Sequence, residues 1–521
     1  MPNRRMTITQ KPLSLKEIFD YLKNKPKIIL NDKLQKDIIR SRQIIEKIIA
    51  SDRPVYGINT GFGSFAETKI AKAAVNELQR RLILSHSAGI GDYIPHDIVR
   101  LMMLLKVNAL STGHSACRLE VIQQLIDMLN NDILPQIPQQ GSVGASGDLA
   151  PLAHLALAMM GGGRVVIDKA TRYEQKSEKS TNAMSALKRH GLKPIKFEAK
   201  DGLALLNGTQ AMTAFALWTL MQLKNIIKSA DIIGALSLET LLGSLTPFDT
   251  RIQEIRPHPG QKIVAENVRK ILHDSPIVLS HKFSDHKVQD AYSLRCMPQV
   301  HGAVRDGLAF IEEVILREIN SVTDNPLLFV ENGEVLSGGN FHGAPIAYAS
   351  DFMSIILTDL ASISERRIEH MLDPAVSQLP AFLIEEGGLN SGFMMAHVSA
   401  ASLVSECKSL AHPASTDSIP TSANKEDHVS MGMYAARKSW QIMKNLEHVL
   451  AIELICACQA LDFRAPLKPS KVTGNVLKLI RATIPFWKQD RLMYQDINAA
   501  VEIIRSKRLV QTAEKICGEL K

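Results

Sequence analysis

Five long, strongly apolar stretches in the second part of the chain, at 209–230, 232–244, 302–320, 346–372 and 395–411, limit what it can fold into more than any other feature. Their apolar residues recur at helical spacing. They are too apolar all round for any of them to keep a broad face in water. Helices of this kind must bury most of their surface against one another, which calls for a central bundle and for further burial between subunits. The expected fold is therefore mainly α, with an N-terminal domain over residues 1–200 and a helical-bundle domain with a C-terminal helical region over 201–521.

The first 200 residues are also mostly helical in pattern. Residues 96–110 place Ile98, Leu101, Met102, Leu105 and Val107 in an apolar set, and 118–130 do the same with Val121, Ile122, Leu125 and Leu129. Asp148 can cap a further helix that has Pro151 in its first turn, with Gly161-Gly162-Gly163 as its stop. Strand signals are few. Val165-Val166-Ile167 is one, and Asn332-Gly333 between Leu327–Val330 and Val335-Leu336 predicts a tight hairpin. Residues 169–182 are polar without apolar period and read as a surface excursion.

Composition excludes several classes. With 45% hydrophobic and 22% charged residues in 521, the chain is neither disordered nor fibrous. Its six cysteines, at 117, 296, 407, 456, 458 and 517, offer neither a disulfide framework nor a paired Cys-x-x-Cys metal site. Cys456 and Cys458 lie in an apolar segment and read as small buried thiols. The net charge of +8 is dispersed, without the dense basic and aromatic cluster of a nucleic-acid binder. No uninterrupted apolar run reaches the roughly 18–20 residues of a membrane span, and no apolar core follows Arg4-Arg5. A cytoplasmic protein with no membrane or nucleic-acid partner is expected.

Chemistry concentrates at Gly144-Ala145-Ser146-Gly147-Asp148. The small residues at 145 and 147 let the Gly147 nitrogen approach the Ala145 carbonyl carbon, and loss of two waters would leave an exocyclic methylidene electrophile made from the main chain. Other readings of the same residues are weaker. As a nucleophile elbow the segment has Asp148 where the last glycine belongs, and as a plain helix entry its glycines are structural. Ser422-Ala423-Asn424-Lys425 fits Ser-x-x-Lys without its companion motifs, Gly61-Phe62-Gly63 lacks the third glycine of a dinucleotide loop, and no His-Glu-x-x-His marks a metal.

Six further segments accompany the tripeptide. They are Tyr56-Gly57-Ile58-Asn59-Thr60-Gly61-Phe62-Gly63, Leu84-Ser85-His86, Leu206-Asn207-Gly208-Thr209-Gln210, Gln289-Asp290-Ala291-Tyr292-Ser293-Leu294-Arg295, Gly338-Gly339-Asn340-Phe341-His342 and Ser422-Ala423-Asn424-Lys425-Glu426-Asp427-His428. In this order, over nearly the whole chain, they resemble the aromatic amino acid ammonia-lyases that carry a methylidene-imidazolone group, and Ser85-His86 looks like the histidine-specific pattern among them. The resemblance implies that Ala145, Ser146 and Gly147 cyclise unaided into 4-methylidene-imidazol-5-one. It also implies no external cofactor or metal, a homotetramer with active sites shared between subunits, and conversion of L-histidine to trans-urocanate and ammonia.

The resemblance further assigns roles. Tyr56 takes the β-proton, for which its phenol, normally near pKa 10, must be lowered by its surroundings. Tyr292 joins it at the reacting centre. Arg295 holds the substrate carboxylate beside Gln289, as a planar two-pronged donor can. Asn207 lies against substrate or prosthetic group, Phe341 forms a pocket wall and Met394 adds a soft contact. His86 and Glu426 bind the imidazole. Taken alone, Tyr56 and Phe341 are ordinary packing aromatics, Arg295 a surface cation, Asn207 an N-cap and His86 a satisfied core histidine. One departure stands out: Lys425 occupies a place commonly held by Gln, free either to pair with Glu426 or to turn to solvent. Related readings are a phenylalanine or tyrosine ammonia-lyase, an aminomutase, or a non-catalytic helical scaffold.

Overall fold

The computed structural model describes residues 4–51, 54–167, 180–282 and 287–521. Long helices dominate it, among them His96–Leu110, Leu119–Asn130, Gln210–Thr240, Met297–Glu318, Ala344–Leu372, Met394–Leu410 and Gly432–Phe463. The mainly α expectation holds. Two expected helices, 209–230 and 232–244, are a single one, because nothing between Ala230 and Ile232 breaks the pattern and Asp231 is buried rather than capping. The 32-residue helix Gly432–Phe463 is an addition to the expected set.

By length and composition alone Ala344–Leu372 could cross a membrane, although its sequence holds no uninterrupted apolar run of that length; 72% of its most apolar window is buried within the protein, as in a core helix.

Contacts group the chain into two compact units. Where sequence draws one boundary near residue 200, the first unit comprises residues 1–218, 313–350 and 413–437, and the second 219–312, 351–412 and 438–521.

In the first unit, helix His96–Leu110 is buried along nearly its whole length, including Arg100 and Lys106. Among the described residues of this unit there are four small sheets. Arg5–Ile8 pairs in parallel with Lys27–Leu30, and Ile90–Tyr93 pairs antiparallel with Pro138–Gln140. The expected strand at 165–167 is the middle of a three-stranded antiparallel sheet, Arg164–Ile167 between Ile133–Pro135 and Ser180–Asn182. Residues 180–182 of the polar stretch are thus a strand, while 168–179 lie outside the described residues. Leu327–Phe329 and Glu334–Leu336 form the expected hairpin. Its loop is four residues, 330–333, not a two-residue turn. The Gly333 N–H closes back on the Phe329 carbonyl, and Asn332 ties itself to Glu334.

The second unit is built around a buried ionic network. Arg367 and Glu453, both fully buried, form a two-pronged pair that also takes hydrogen bonds from Ser237 and Ser364. Asp231 accepts from His301 at 2.9 Å, from Arg305 at 2.5 Å and from Asn267 at 2.9 Å. Burial alone would raise the Asp231 pKa, but these partners outweigh it and hold it below the usual carboxylate value. Cys456 and Cys458 are buried and free, as their apolar setting predicts.

Candidate active site

The loop 141–148 owes its path to glycines. Gly147 has φ +78°, and a Cβ there would lie 2.2 Å from the Gly208 carbonyl oxygen; at Gly144, φ +68°, it would lie 2.2 Å from Ser430 Oγ. At Gly147 no larger residue fits without moving main chain, and at Gly144 the left-handed backbone itself favours glycine. Gly147 and Gly208 form an isolated parallel bridge, in which the Asp148 N–H donates to the Gly208 carbonyl at 2.7 Å and the Gly208 N–H to the Ser146 carbonyl at 3.4 Å. The Met431 N–H and the Ser430 hydroxyl fasten the carbonyls of Val143 and Gly144. Ala145 packs with Ala414, Val429, Met431 and Ala435.

Asp148 stands at the N-cap position of helix Leu149–Met159, but its side chain does not cap that helix. Its carboxylate instead accepts the Met212 N–H, in the first turn of Gln210–Thr240, at 2.8 Å, and the Ser142 hydroxyl at 3.2 Å. One carboxylate thereby fastens the loop to the start of a second helix. Burial pushes its pKa up to about 7.

Three expected site residues, Ser146, Tyr56 and His86, converge on a fourth, Glu426. Its Oε1 accepts the Ser146 hydroxyl at 3.2 Å and its Oε2 the Thr421 hydroxyl at 2.6 Å. Its charge also acts on Tyr56 and on His86. Three consecutive non-glycine residues with positive φ, Ser422, Ala423 and Asn424, form the tight turn that presents it. Strain of this kind persists only where surrounding contacts hold it. Lys425 is exposed and makes no ion pair with Glu426 among the described residues.

Tyr56 lies in a turn. Gly57 beside it, φ +73°, is pressed so closely on Leu203 and Pro326 that a Cβ would come within 2.6 Å and 2.8 Å of them. The phenol does not have the lowered pKa that its expected role demands. Burial raises it and Glu426 raises it further, while only the Gly63 N–H bonded to its oxygen works the other way. His86 is the last residue of helix Val75–His86, and its Nδ1 lies 2.9 Å from the Leu82 carbonyl. A carbonyl only accepts, so Nδ1 carries the proton and Nε2, without a partner among the described residues, is an acceptor. Burial lowers the His86 pKa and so favours the neutral ring.

Asn207 closes helix Asp201–Leu206 and is not an N-cap of the helix that follows. Its amide donates to Asp324 at 3.1 Å and to the Asn325 carbonyl at 2.7 Å. Phe341 is half-buried in the turn after Gly338, whose N–H is held by Asn325. The residue that sequence reasoning missed is Lys106. Wholly buried, it donates to the carbonyls of Ala204 and Asn207, and burial pulls its pKa down to about 8. A single Lys within an apolar helical run carries no signal of this kind.

The other expected residues belong to the second unit. Gln289 is exposed, and Tyr292 and Arg295 share the one-turn helix Tyr292–Arg295, the guanidinium 4.4 Å from the ring centroid. The Ser293 carbonyl of that turn accepts from Arg367 at 3.3 Å, and Asp290 just before it accepts the Ser244 N–H at 2.7 Å. Met394 is exposed at the start of helix Met394–Leu410.

The sequence profile of the aromatic amino acid lyases matches residues 13–482. The chain belongs to this family. A histidine ammonia-lyase of Natranaerobius thermophilus is 48% identical over 99% of both chains. Among solved structures, a histidine ammonia-lyase of Trypanosoma cruzi is 40% identical with a TM-score of 0.88, over 98% of this chain and 95% of that one. A tyrosine aminomutase of Streptomyces globisporus is 32% identical with a TM-score of 0.90, over 99% of this chain and all of that one. The same fold is thus shared by enzymes named for different amino acids, so the fold alone does not set the substrate.

Proposed function

We propose that the chain is a histidine ammonia-lyase that converts L-histidine to trans-urocanate and ammonia. The observation that carries the reading is the convergence of Ser146, Tyr56 and His86 on the Glu426 carboxylate. The similarity to histidine ammonia-lyases over nearly the whole chain supports it. His86 Nε2 accepts a ring N–H, and the Glu426 carboxylate faces the ring as a second polar partner. A benzene ring would leave both groups buried and unpaired, at about 1–3 kcal/mol each.

The Ala-Ser-Gly segment fits the family's prosthetic group: a Cβ is excluded at Gly147, and among the described residues the Ser146 hydroxyl is held by Glu426 alone. Once formed, the methylidene-imidazolone supplies a carbon electrophile that eases departure of the substrate nitrogen. Tyr56 removes the β-proton, and Phe341 and Asn207 border the pocket. In the homotetramer, Gln289, Tyr292, Arg295 and Met394 come from a neighbouring subunit. Arg295 grips the carboxylate and adds the positive charge that an ionised Tyr56 requires. The exposed Met394, Met395 and Val398 of one helix support burial between subunits.

The test is ammonia release by the purified chain from L-histidine, L-phenylalanine and L-tyrosine in parallel, with products identified by NMR. Urocanate from histidine alone is expected. An alkene from phenylalanine or tyrosine, or a β-amino acid, with histidine inert would overturn the assignment.

A further inference from the structure

Lys106 sits in the interior of helix His96–Leu110, 1% exposed, and its ammonium donates to the Asn207 carbonyl. That carbonyl shares one peptide plane with the Gly208 N–H, which faces the Ser146 carbonyl oxygen at 3.4 Å. A cation at the oxygen end of an amide withdraws electrons and strengthens its N–H as a donor. The plane is held in place from both sides. Asp148 N–H fixes the Gly208 carbonyl, Asn207 is anchored to Asp324 and Asn325, and a Cβ at Gly208 would meet the Thr323 carbonyl at 2.7 Å.

We propose that Lys106 is a positioning residue for maturation of the tripeptide, polarising the Asn207–Gly208 peptide toward the Ser146 carbonyl oxygen. This rests on the reading that Ala145, Ser146 and Gly147 form the ring. In closure, the Gly147 nitrogen bonds to the Ala145 carbonyl carbon, and the Ala145 oxygen leaves as water with the protons of the Gly147 and Ser146 nitrogens. The Ser146 Cβ–Oγ bond then breaks, and the hydroxyl leaves as a second water with the Ser146 Cα proton. No oxidant is needed. Removing the Gly147 N–H proton and removing the Cα proton both move negative charge onto the Ser146 carbonyl oxygen, by amide resonance and as an enolate respectively. A strengthened donor at that oxygen assists both steps. The neighbouring charges Asp148, Asp324 and Lys200 also act on Lys106, so a purely structural ammonium is the competing role.

The two roles separate in a time course. Full-length chain is made by cell-free synthesis and quenched at intervals, and the mass of the 141–155 peptide is read for wild type, Lys106→Met, Lys106→Gln, Lys106→Arg and Ser146→Ala. Wild type should lose two waters and Ser146→Ala should keep its ring open. Lys106→Met should close about tenfold more slowly, with Lys106→Arg restoring the rate because it keeps the charge. Should Lys106→Met fail to fold, Lys106→Gln decides, since it keeps a donor without the charge. Closure at the wild-type rate in a folded uncharged variant overturns the role of Lys106. A wild-type peptide that never loses water overturns ring formation itself.

Discussion

Glu426 acts on the phenol of Tyr56 and on the ring of His86 at once, so replacing it separates two effects. Its charge raises the Tyr56 pKa, and a base must be ionised to accept a proton. Glu426→Gln removes that charge and should therefore move the alkaline-rising limb of the kcat/KM profile to lower pH. Its absolute level should fall as the imidazole loses a charged partner. A limb that stays in place or moves upward would mean that Tyr56 is not the titrating base. His86→Leu combined with Glu426→Gln should lower histidine kcat/KM by about 100-fold or more, two ring partners being lost at about 1.4 kcal/mol per tenfold. Unchanged histidine kinetics in the double variant would remove both residues from ring recognition.

At the scale of elements, helices were the most legible part of the sequence because apolar period survives burial. The expected 346–372 and 395–411 stretches match Ala344–Leu372 and Met394–Leu410 closely. What sequence could not supply was which partner a polar residue finds. Asp148 was legible as a cap, but the helix it caps begins more than sixty residues later; Lys106 and Asp231 lie inside helices whose neighbours give no hint of a buried charge. Asn207 was legible as a site residue only by resemblance, since its partners Asp324 and Asn325 are remote in sequence.

The Arg367–Glu453 pair shows the energetic side of that gap. It also steadies the turn that carries Tyr292 and Arg295, through the Ser293 carbonyl. Glu453→Gln leaves the buried guanidinium without its counter-charge and should destabilise the protein by about 3–5 kcal/mol in denaturant melts. Arg80→Ala, which breaks a solvent-screened pair with Glu77 at the surface, should leave the denaturant melt essentially unchanged. Comparable effects of the two substitutions would contradict the view that the second unit is organised around that network.

At the scale of the molecule, the proposal that each site draws residues from more than one chain is open to complementation. Ser146→Ala and Arg295→Ala, each nearly inactive alone, should yield measurable histidine turnover when co-expressed, because mixed tetramers contain sites with both residues intact. Confirmed mixed tetramers without recovered activity would place each site within one chain. The claim on which all of this depends is that Ser146 supplies the electrophile for histidine elimination. The most direct measurement is the progress curve of urocanate absorbance with purified full-length protein and L-histidine, run beside Ser146→Ala of equal thermal stability. The account predicts steady urocanate formation by the wild type and a rate reduced at least about 1,000-fold in the variant, a loss of about 4 kcal/mol or more of transition-state stabilisation. Equal rates, or no urocanate from either protein, would contradict it.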